Sequence, residues 1–176
     1  MANTLDYYNS NAKAFVDATL SVDMRKIYDD FLPLVPEAGH ILDAGCGSAR
    51  DALYFQGLGY RVSAFDGSEA IVKLASQETG VAVEQRLFSD VKERAAYDGI
   101  WACASLLHLP KHDLVIAIQA LWIALKPGGA FYMSFKAGSG EREELGRHFT
   151  DASEEVAKDW VSQLDQVDSQ RFWHTE

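Results

Sequence analysis

The sequence has few of the residues that would bind a metal ion, a nucleic acid or an anionic membrane. Its two cysteines, Cys46 and Cys103, lack metal-ligand spacing, and the five histidines show no close spacing that suggests a metal, so none is expected. Lysine and arginine total 16 against 26 acidic residues, which gives a formal net charge of −10. This balance argues against binding to nucleic acid phosphates or anionic lipid. We expect both cysteines to be buried and reduced, as in a cytoplasmic protein.

Long apolar runs are also absent. No stretch of about 18 apolar residues occurs, so no membrane span is expected. Residues 1–6 lack the basic and apolar regions of a signal peptide. With 176 residues, 48% of them hydrophobic, the chain can bury one sizeable core. We predict a single cytoplasmic domain over 1–176, and the sequence does not distinguish a monomer from a homodimer.

Strand-like and helix-like patterns alternate along the chain. Residues 4–30 carry apolar side chains at helical spacing, and two prolines follow. The predicted strands are 40–43, 60–66, 81–88, 99–104 and 130–135, and the predicted helices between them are 50–56, 68–77 and 112–125. This alternation predicts an α/β fold, with a doubly wound, mostly parallel Rossmann-like sheet and helices on both faces.

The last part of the sequence is less regular. Residues 136–144 are predicted to form a long polar loop, and Asp151 with Glu154 resembles a capping box for a helix that ends near residue 164. A final strand is predicted over 167–174. The domain therefore divides into a helical leader or lid (1–36), a cofactor-binding core (37–135), and a loop, helix and final strand (136–176).

The segment 40–51, His-Ile-Leu-Asp-Ala-Gly-Cys-Gly-Ser-Ala-Arg-Asp, is typical of a buried strand, a Gly-x-Gly turn and a helix start. Such a turn brings backbone N–H groups to a ligand. Asp43 lies where a dinucleotide loop meets pyrophosphate, and two like charges about 5 Å apart repel by a few kcal/mol. Arg50 also replaces the third glycine of an NAD loop. A cationic ligand fits better, which favours S-adenosylmethionine, with its sulfonium and ammonium groups.

Asp66 ends the second strand, where a carboxylate accepts hydrogen bonds from ribose hydroxyls. The alternative is that it only caps the following helix. Ligands of parallel sheets bind beyond the carboxyl ends of the strands. That rule brings together the segments 43–47, 66–68, 88–90, 104–108 and 136–142.

Three motifs carry a family resemblance: Leu-Asp-Ala-Gly-Cys-Gly-Ser at 42–48, Tyr-Asp-Gly-Ile-Trp-Ala-Cys-Ala-Ser-Leu-Leu-His at 97–108, and Leu-Lys-Pro-Gly-Gly at 125–129. They resemble the class I S-adenosylmethionine-dependent methyltransferases over roughly 35–136. Residues 134–142 and 146–151 are similar to a small bacterial subgroup described as tellurite-resistance-related methyltransferases. The resemblance implies methyl transfer from S-adenosylmethionine, an in-line displacement with S-adenosylhomocysteine as the product. The lack of a basic surface argues against a nucleic acid as the acceptor, and the short leader without an added domain argues against a large protein, so we expect a small-molecule acceptor.

The resemblance also implies a set of cofactor-binding residues: Asp43, Ala44, Gly45, Cys46, Gly47, Asp66, Gly67, Ser68, Phe88 and Ala104. In it, Asp43 and the loop backbone hold the methionine end of the cofactor, and Asp66 holds the ribose. Gly67 and Ser68 flank the adenine. The family's acid near the adenine aligns with Leu87, or with Asp90 after a shift of register. Adenine recognition therefore stays open, and Phe88 is the preferred contact.

Tyr8, His108 and Arg142 are the acceptor-side candidates. Tyr8 lies on the leader, which covers the cofactor in similar proteins, and His108 follows the fourth strand. Arg142, with Arg147 and His148, lies in or after a loop that can act as a lid. The alternatives are ordinary packing, a structural histidine and a solvated loop. The catalytic residue is unknown, because an acceptor such as a thiolate or an anionic metalloid needs no general base.

One departure from the family concerns the end of the sheet. The family's sheet normally has a seventh, antiparallel strand inserted between strands 5 and 6, and this sequence offers no seventh strand. The open explanations are a naturally short member, a shortened chain, or a partner that supplies the edge. The last of these motivates an alternative function, an S-adenosylmethionine-binding regulatory or partner-completed module without turnover.

Overall fold

The structure, a computed structural model, describes residues 2–175. The predicted domain limits, 1 and 176, lie outside this range. The strands are β1 His40–Ala44, β2 Arg61–Asp66, β3 Val83–Gln85, β4 Tyr97–Ala102, β5 Leu125–Met133, β6 Gly140–Glu144 and β7 Arg147–Asp151. The α-helices are α1 Ala2–Thr19, α2 Arg25–Phe31, α3 Arg50–Gly57, α4 Glu69–Thr79, α5 Lys111–Ala124 and α6 Glu154–Ser162. None of these helices is long and apolar enough to cross a bilayer.

The main sheet has five strands in the order β3-β2-β1-β4-β5, all parallel. Successive residues of a strand point to opposite faces. Ile41 of β1 packs with Phe31 and Phe55 from α2 and α3, whereas Leu42 packs with Leu114 and other buried residues of α5. Both faces are therefore covered by helices, and the predicted doubly wound α/β fold is confirmed.

The leader forms two helices, whereas the sequence pattern predicted helix throughout residues 4–30. The first helix, α1, ends at Thr19, whose hydroxyl donates to the carbonyl of Phe15 at 2.8 Å. The second begins at Arg25, whose backbone N–H donates to the Asp23 carboxylate at 3.0 Å. No glycine or proline lies between the helices, so apolar periodicity alone did not reveal the break.

The predicted polar loop 136–144 is in part a strand, because β6 pairs with β7 as an antiparallel hairpin. Leu145 and Gly146 have φ values of 52° and 78°, as in a two-residue type I′ turn. The turn was missed because leucine, rather than asparagine or aspartate, precedes the glycine. The predicted cap at Asp151 is also wrong, because Asp151 ends β7 and Ser153 Oγ accepts the N–H of Val156 at 3.3 Å.

The predicted final strand over 167–174 is wrong. Residues 163–175 contain no strand and are held by side-chain contacts. The guanidinium of Arg171 lies 2.8 Å from the Asp30 carboxylate, and the Trp173 ring lies 5.9 Å from the Tyr132 ring. Side-chain attachment of this kind needs no ladder of backbone hydrogen bonds. Within residues 2–175 the main sheet therefore ends at β5.

The third strand is shorter than the predicted 81–88. It ends at Gln85, and the chain then turns into a 3₁₀ turn at Phe88–Asp90. The Asp90 carboxylate causes this turn by accepting the backbone N–H of Leu87 at 2.9 Å. Phe88 is thereby placed after the sheet instead of within it.

Candidate active site

A cavity of about 1140 Å³ opens beyond the carboxyl ends of β1, β2 and β4, where the strand order reverses. Pockets for one small ligand are typically about 300–1,000 Å³, so this cavity has room for two small molecules. Nine predicted site residues line it: Tyr8, Gly45, Cys46, Gly47, Asp66, Gly67, Phe88, Ala104 and His108. Four do not line it: Asp43, Ala44, Ser68 and Arg142.

The glycine loop after β1 is fixed against β2. The backbone N–H groups of Gly45 and Cys46 both donate to the Phe65 carbonyl, at 3.0 and 2.9 Å. Gly45 has φ +74°, and a Cβ there would lie only 2.5 Å from Ser105 Cβ. The position thus requires glycine for its backbone conformation and for space.

Asp66 lies at the end of β2, beside this loop. Its Oδ2 accepts the N–H of Gly47 and its Oδ1 accepts the N–H of Ser68, both at 3.0 Å. Burial raises the pKa of Asp66, and these backbone hydrogen bonds oppose the shift. A carboxylate has roughly four acceptor positions, so about two remain for hydroxyl groups of a ligand in the cavity.

Asp43 lies beneath the loop and does not reach the cavity. The residue is 1% exposed, and its Oδ2 accepts the N–H of Ala52 in the first turn of α3 at 3.1 Å. Burial, together with the negative charge of Asp51, raises the pKa of Asp43 well above its ordinary value. The observed contact of this carboxylate is therefore with α3, and its predicted contact with the methionine end stays a prediction.

Ser68 and Ala44 are engaged within the protein. Ser68 Oγ accepts the N–H of Ile71 at 3.2 Å and donates to Asn9 Oδ1 of α1 at 2.7 Å. The Ala44 carbonyl accepts the hydroxyl of Ser105 at 2.6 Å. The bond to Asn9 joins α1 to the start of α4, so the leader covers the cavity edge next to Gly67.

The segment after β3 presents Leu87 and Phe88 to the cavity. The Phe88 ring packs edge-on against Phe65, with 5.4 Å between ring centroids. Asp90 does not line the cavity, because its carboxylate is bonded to the N–H of Leu87. Of the two alignments that the sequence left open, the geometry brings Leu87 to the cavity and keeps Asp90 away from it.

Asp51, which was not among the predicted site residues, lies with its carboxylate in a buried polar network. Its side chain is 6% exposed and accepts hydrogen bonds from the Tyr28 hydroxyl and from Trp101 Nε1, the latter at 2.8 Å. Arg50 adds two more, from Nε at 2.6 Å and from Nη2 at 3.0 Å. In the sequence, Asp51 looks like an ordinary acidic residue in a first helical turn.

Tyr8 and His108 form a hydrogen bond at the cavity wall, with Tyr8 Oη 2.8 Å from His108 Nε2. His108 Nδ1 lies 2.8 Å from the carbonyl oxygen of His148, which can only accept. The imidazole proton is therefore on Nδ1, and the Tyr8 hydroxyl donates to Nε2. Burial lowers the pKa of His108 to about 4, so the ring is neutral at physiological pH.

The depressed pKa of His108 gives a pH prediction for stability. The unfolded chain takes up the proton near pH 6.5, but the folded chain does so only near pH 4, so stability is lost as pH falls below 6.5. We expect the stability advantage of the wild-type protein over His108→Gln to shrink by about 2 kcal/mol between pH 7.5 and pH 5. Urea unfolding at both pH values measures it, and an unchanged difference would contradict a neutral His108. His112→Gln, at an exposed position, controls for removing a histidine as such.

The two arginines of the β6–β7 hairpin are used differently. Arg142 donates to Asp151 at 2.7 Å and to Glu144 at 2.6 Å, and it does not line the cavity. Arg147 does line the cavity, and its guanidinium lies 4.5 Å from the centroid of the Tyr7 ring. Of the two hairpin arginines, only Arg147 therefore lies at the cavity, since Arg142 is held by its carboxylate partners.

The comparisons with known proteins agree with this geometry. A family model described as a methyltransferase domain matches residues 41–129, which is 89 of the 176 residues. The chain belongs to this family. Its parallel sheet, glycine loop and Asp66 together define a class I S-adenosylmethionine-dependent methyltransferase domain.

Two curated relatives show what the chain is similar to. It is 32% identical over 108 residues to a ubiquinone biosynthesis O-methyltransferase of Xanthomonas axonopodis pv. citri, with 57% of this chain and 44% of that protein covered. It is 28% identical over 140 residues to the putative methyltransferase YqeM of Bacillus subtilis, with 73% of this chain and 55% of that protein covered. The chain thus spans about half the length of these relatives.

Solved structures share the fold. A DhpI–SAH complex superposes with a TM-score of 0.64 at 21% identity, covering 92% of this chain and 85% of that one. A Burkholderia thailandensis 1,6-didemethyltoxoflavin-N1-methyltransferase, solved with 1,6-didemethyltoxoflavin and S-adenosylhomocysteine, gives a TM-score of 0.57 at 22% identity, with coverages of 89% and 76%.

Proposed function

We propose that the chain is an S-adenosylmethionine-dependent methyltransferase that acts on a small-molecule acceptor. The observation that carries the proposal is the position of Asp66 beside the Gly45–Gly47 loop on one cavity, with acceptor positions of its carboxylate left for hydroxyl groups. The size of the cavity supports a second ligand. Two structural neighbours, the DhpI–SAH complex and the 1,6-didemethyltoxoflavin-N1-methyltransferase, were solved with S-adenosylhomocysteine, and the latter also with the small molecule 1,6-didemethyltoxoflavin.

The residues of the chain would position the reactants. S-adenosylmethionine, when bound, supplies an electrophilic methyl group, whose bond to sulfur breaks as the bond to the acceptor atom forms. Asp66 would hold the ribose hydroxyls, and the loop backbone would hold the part of the cofactor next to it. Tyr8 and the leader cover the site and exclude water. Alignment of this kind lowers the barrier by several kcal/mol.

Three titratable groups at the cavity wall, His108, Tyr8 and Cys103, are not effective bases at neutral pH. A His108 pKa of about 4 makes its imidazole a weak proton acceptor, and burial raises the pKa of Tyr8. Burial also raises the pKa of Cys103 to about 12, so its thiol stays protonated. We therefore propose an acceptor that reaches the site without a proton on the attacking atom.

Calorimetry with S-adenosylmethionine, S-adenosylhomocysteine and NAD tests the cofactor. We expect both S-adenosyl ligands to bind and NAD not to bind, whereas tight NAD binding alone would overturn the proposal. Asp66→Ala should weaken S-adenosylhomocysteine binding more than about tenfold, since charge-assisted hydrogen bonds are lost. Asp159→Ala, at an exposed position of α6, is the matched control. Binding of S-adenosylmethionine without turnover across a broad acceptor panel would favour the regulatory or partner-completed module.

The role of Asp43 can be tested by comparing two substitutions. Asp43→Asn keeps an oxygen for the N–H of Ala52, so we expect it to bind S-adenosylhomocysteine within about threefold of wild type, whereas Asp43→Ala should lose more than about tenfold. A carboxylate that attracts the sulfonium would give a different result. In that case Asp43→Asn would weaken binding of S-adenosylmethionine more than binding of S-adenosylhomocysteine, whose sulfur carries no charge, and calorimetry with both ligands measures that ratio.

We also propose that the chain belongs to the tellurite-resistance-related subgroup, that it is cytoplasmic, and that its acceptor is not a nucleic acid. Membership of the tellurite-resistance-related subgroup and a cytoplasmic location rest on the sequence, where the loop and hairpin residues and the two unpaired cysteines suggest them. The proposal that the acceptor is not a nucleic acid rests on the net charge of −10.

A further inference from the structure

The wall of the cavity formed by the hairpin and the end of β5 carries two cations, Arg147 and Lys136. Arg147 is half-buried, and its Nε is buried without a hydrogen-bond partner among the described residues. Among residues 2–175, no carboxylate oxygen lies within 4.0 Å of its guanidinium. Arg147 lines the cavity, and without a carboxylate partner among residues 2–175 its guanidinium can pair with an anionic group of a ligand.

Aromatic rings hold both cations in place. The Arg147 guanidinium lies 4.5 Å from the Tyr7 ring centroid and 5.1 Å from that of Phe149, and Lys136 Nζ lies 4.3 Å from the Phe149 ring. The partner of Lys136, Glu144, is 3.7 Å away at a position where both side chains are about half exposed, so solvent screens the pair. Glu144 is also bonded to Arg142 at 2.6 Å.

The charges that line the cavity are unevenly distributed. Acidic residues line the other side of the cavity: Asp66 on β2, Asp51 on α3, Asp23 just before α2 and Asp30 on α2. The cations away from the hairpin are Lys26, Arg50, which is paired with Asp51, and Arg86, which is paired with Glu93. The hairpin side has no acidic lining residue in the described chain, and the positive charges of Arg147 and Lys136 contribute to the lowered pKa of His108.

We propose that Arg147 and Lys136 bind an anionic group of the methyl acceptor, so that the acceptor is a small organic acid bearing a carboxylate or a phospho group. This inference rests on the proposed function, because it assigns the acceptor half of the same cavity. Arginine binds such planar or tetrahedral oxyanions through several N–H donors at once. A weakly basic His108 also suits an acceptor that is already anionic.

Calorimetry on protein saturated with S-adenosylhomocysteine tests the subsite, with benzoate and phenylphosphonate as probes and benzamide as the neutral control. We expect at least one anion to bind about tenfold more tightly than benzamide, and Arg147→Gln to abolish that preference. Lys136→Gln should reduce it, and Arg94→Gln, at an exposed position away from the cavity, should not change it. The preferred probe identifies the anion class. Equal binding of benzamide, no binding of either anion, or an unchanged Arg147→Gln variant would overturn the proposal.

A second comparison separates the acceptor from the carboxylate of the cofactor itself. S-adenosylhomocysteine carries that carboxylate, and 5′-methylthioadenosine does not. We expect Arg147→Gln to change the affinity for both by less than about threefold. A loss confined to S-adenosylhomocysteine would place the guanidinium on the cofactor and overturn the acceptor subsite. If the wild-type protein binds neither adenosyl ligand, the failure is that of the proposed function, which is distinct from failure of the anion site.

Discussion

We expect Gly45→Ala to lower the affinity for S-adenosylhomocysteine about a hundredfold. The added Cβ would lie 2.5 Å from Ser105 Cβ and 3.3 Å from the Phe88 ring, at a φ of +74°. Overpacking and a left-handed backbone together cost about 3 kcal/mol. The variant loop would relieve this cost by moving away from the conformation seen here, and regaining that conformation on binding would reduce the affinity about a hundredfold. Titration calorimetry of the folded variant measures the effect.

Two other glycines provide controls for this experiment. Gly59 has φ +92° but open space where an added Cβ would lie, so Gly59→Ala carries the backbone strain without the collision. Gly57 has neither feature. The alanine variants at both positions should bind S-adenosylhomocysteine like the wild-type protein, with Gly59→Ala slightly less stable. An affinity for Gly45→Ala within threefold of wild type would show that the loop tolerates displacement and does not hold the ligand.

Asp51→Ala should lower the free energy of unfolding by about 3–5 kcal/mol. The substitution leaves the guanidinium of Arg50, whose side chain is 18% exposed, without its partner, and it removes the acceptor of Tyr28 and Trp101. Loss of one member of a buried ion pair has this cost because the other charge remains away from water. Urea unfolding of the ligand-free protein gives the value.

Asp17→Ala is the natural comparison, because Asp17 forms an ion pair with Lys13 in which both side chains are well exposed. That variant should lose less than about 1 kcal/mol, as exposed pairs usually do. Tyr28→Phe, which removes only one donor, should lose about 1 kcal/mol. A cost for Asp51→Ala similar to that for Asp17→Ala would mean that water replaces the carboxylate in the network.

The centre of the sheet was predictable because β1 is a mostly apolar run followed by Gly45, and β2 alternates and ends at an acid, Asp66. The prediction for Asp43 did not take into account that side chains along a strand alternate between the two faces of the sheet. The same alternation that puts Ile41 against α2 and α3 also points Asp43 toward α3, whereas an electrostatic argument from the linear sequence placed its charge at the ligand. The hairpin was not predictable from its turn, because Leu145 adopts a backbone that leucine rarely favours.

The candidate site was also predictable only in part. The backbone-determined positions, Gly45, Gly47 and Asp66, were predicted from motif and spacing, and they line the cavity. Side-chain partnerships were not predictable, because they depend on distant segments. Arg142 and Arg147 are equivalent in the sequence, but only the contacts of Arg142 with Asp151 and Glu144 show which of them is already occupied.

The C-terminal segment that replaces the predicted final strand gives the protein an intrinsic optical probe. Trp173 lines the cavity and is 38% exposed, whereas Trp101 and Trp160 are 0% and 2% exposed. A ligand that covers the Trp173 indole removes it from water and shifts its fluorescence to shorter wavelength. Trp101, Trp122 and Trp160 do not line the cavity, and their emission is the background that Trp173→Phe measures. Titrations of wild type and Trp173→Phe can therefore follow cavity occupancy without a label and before any acceptor is identified.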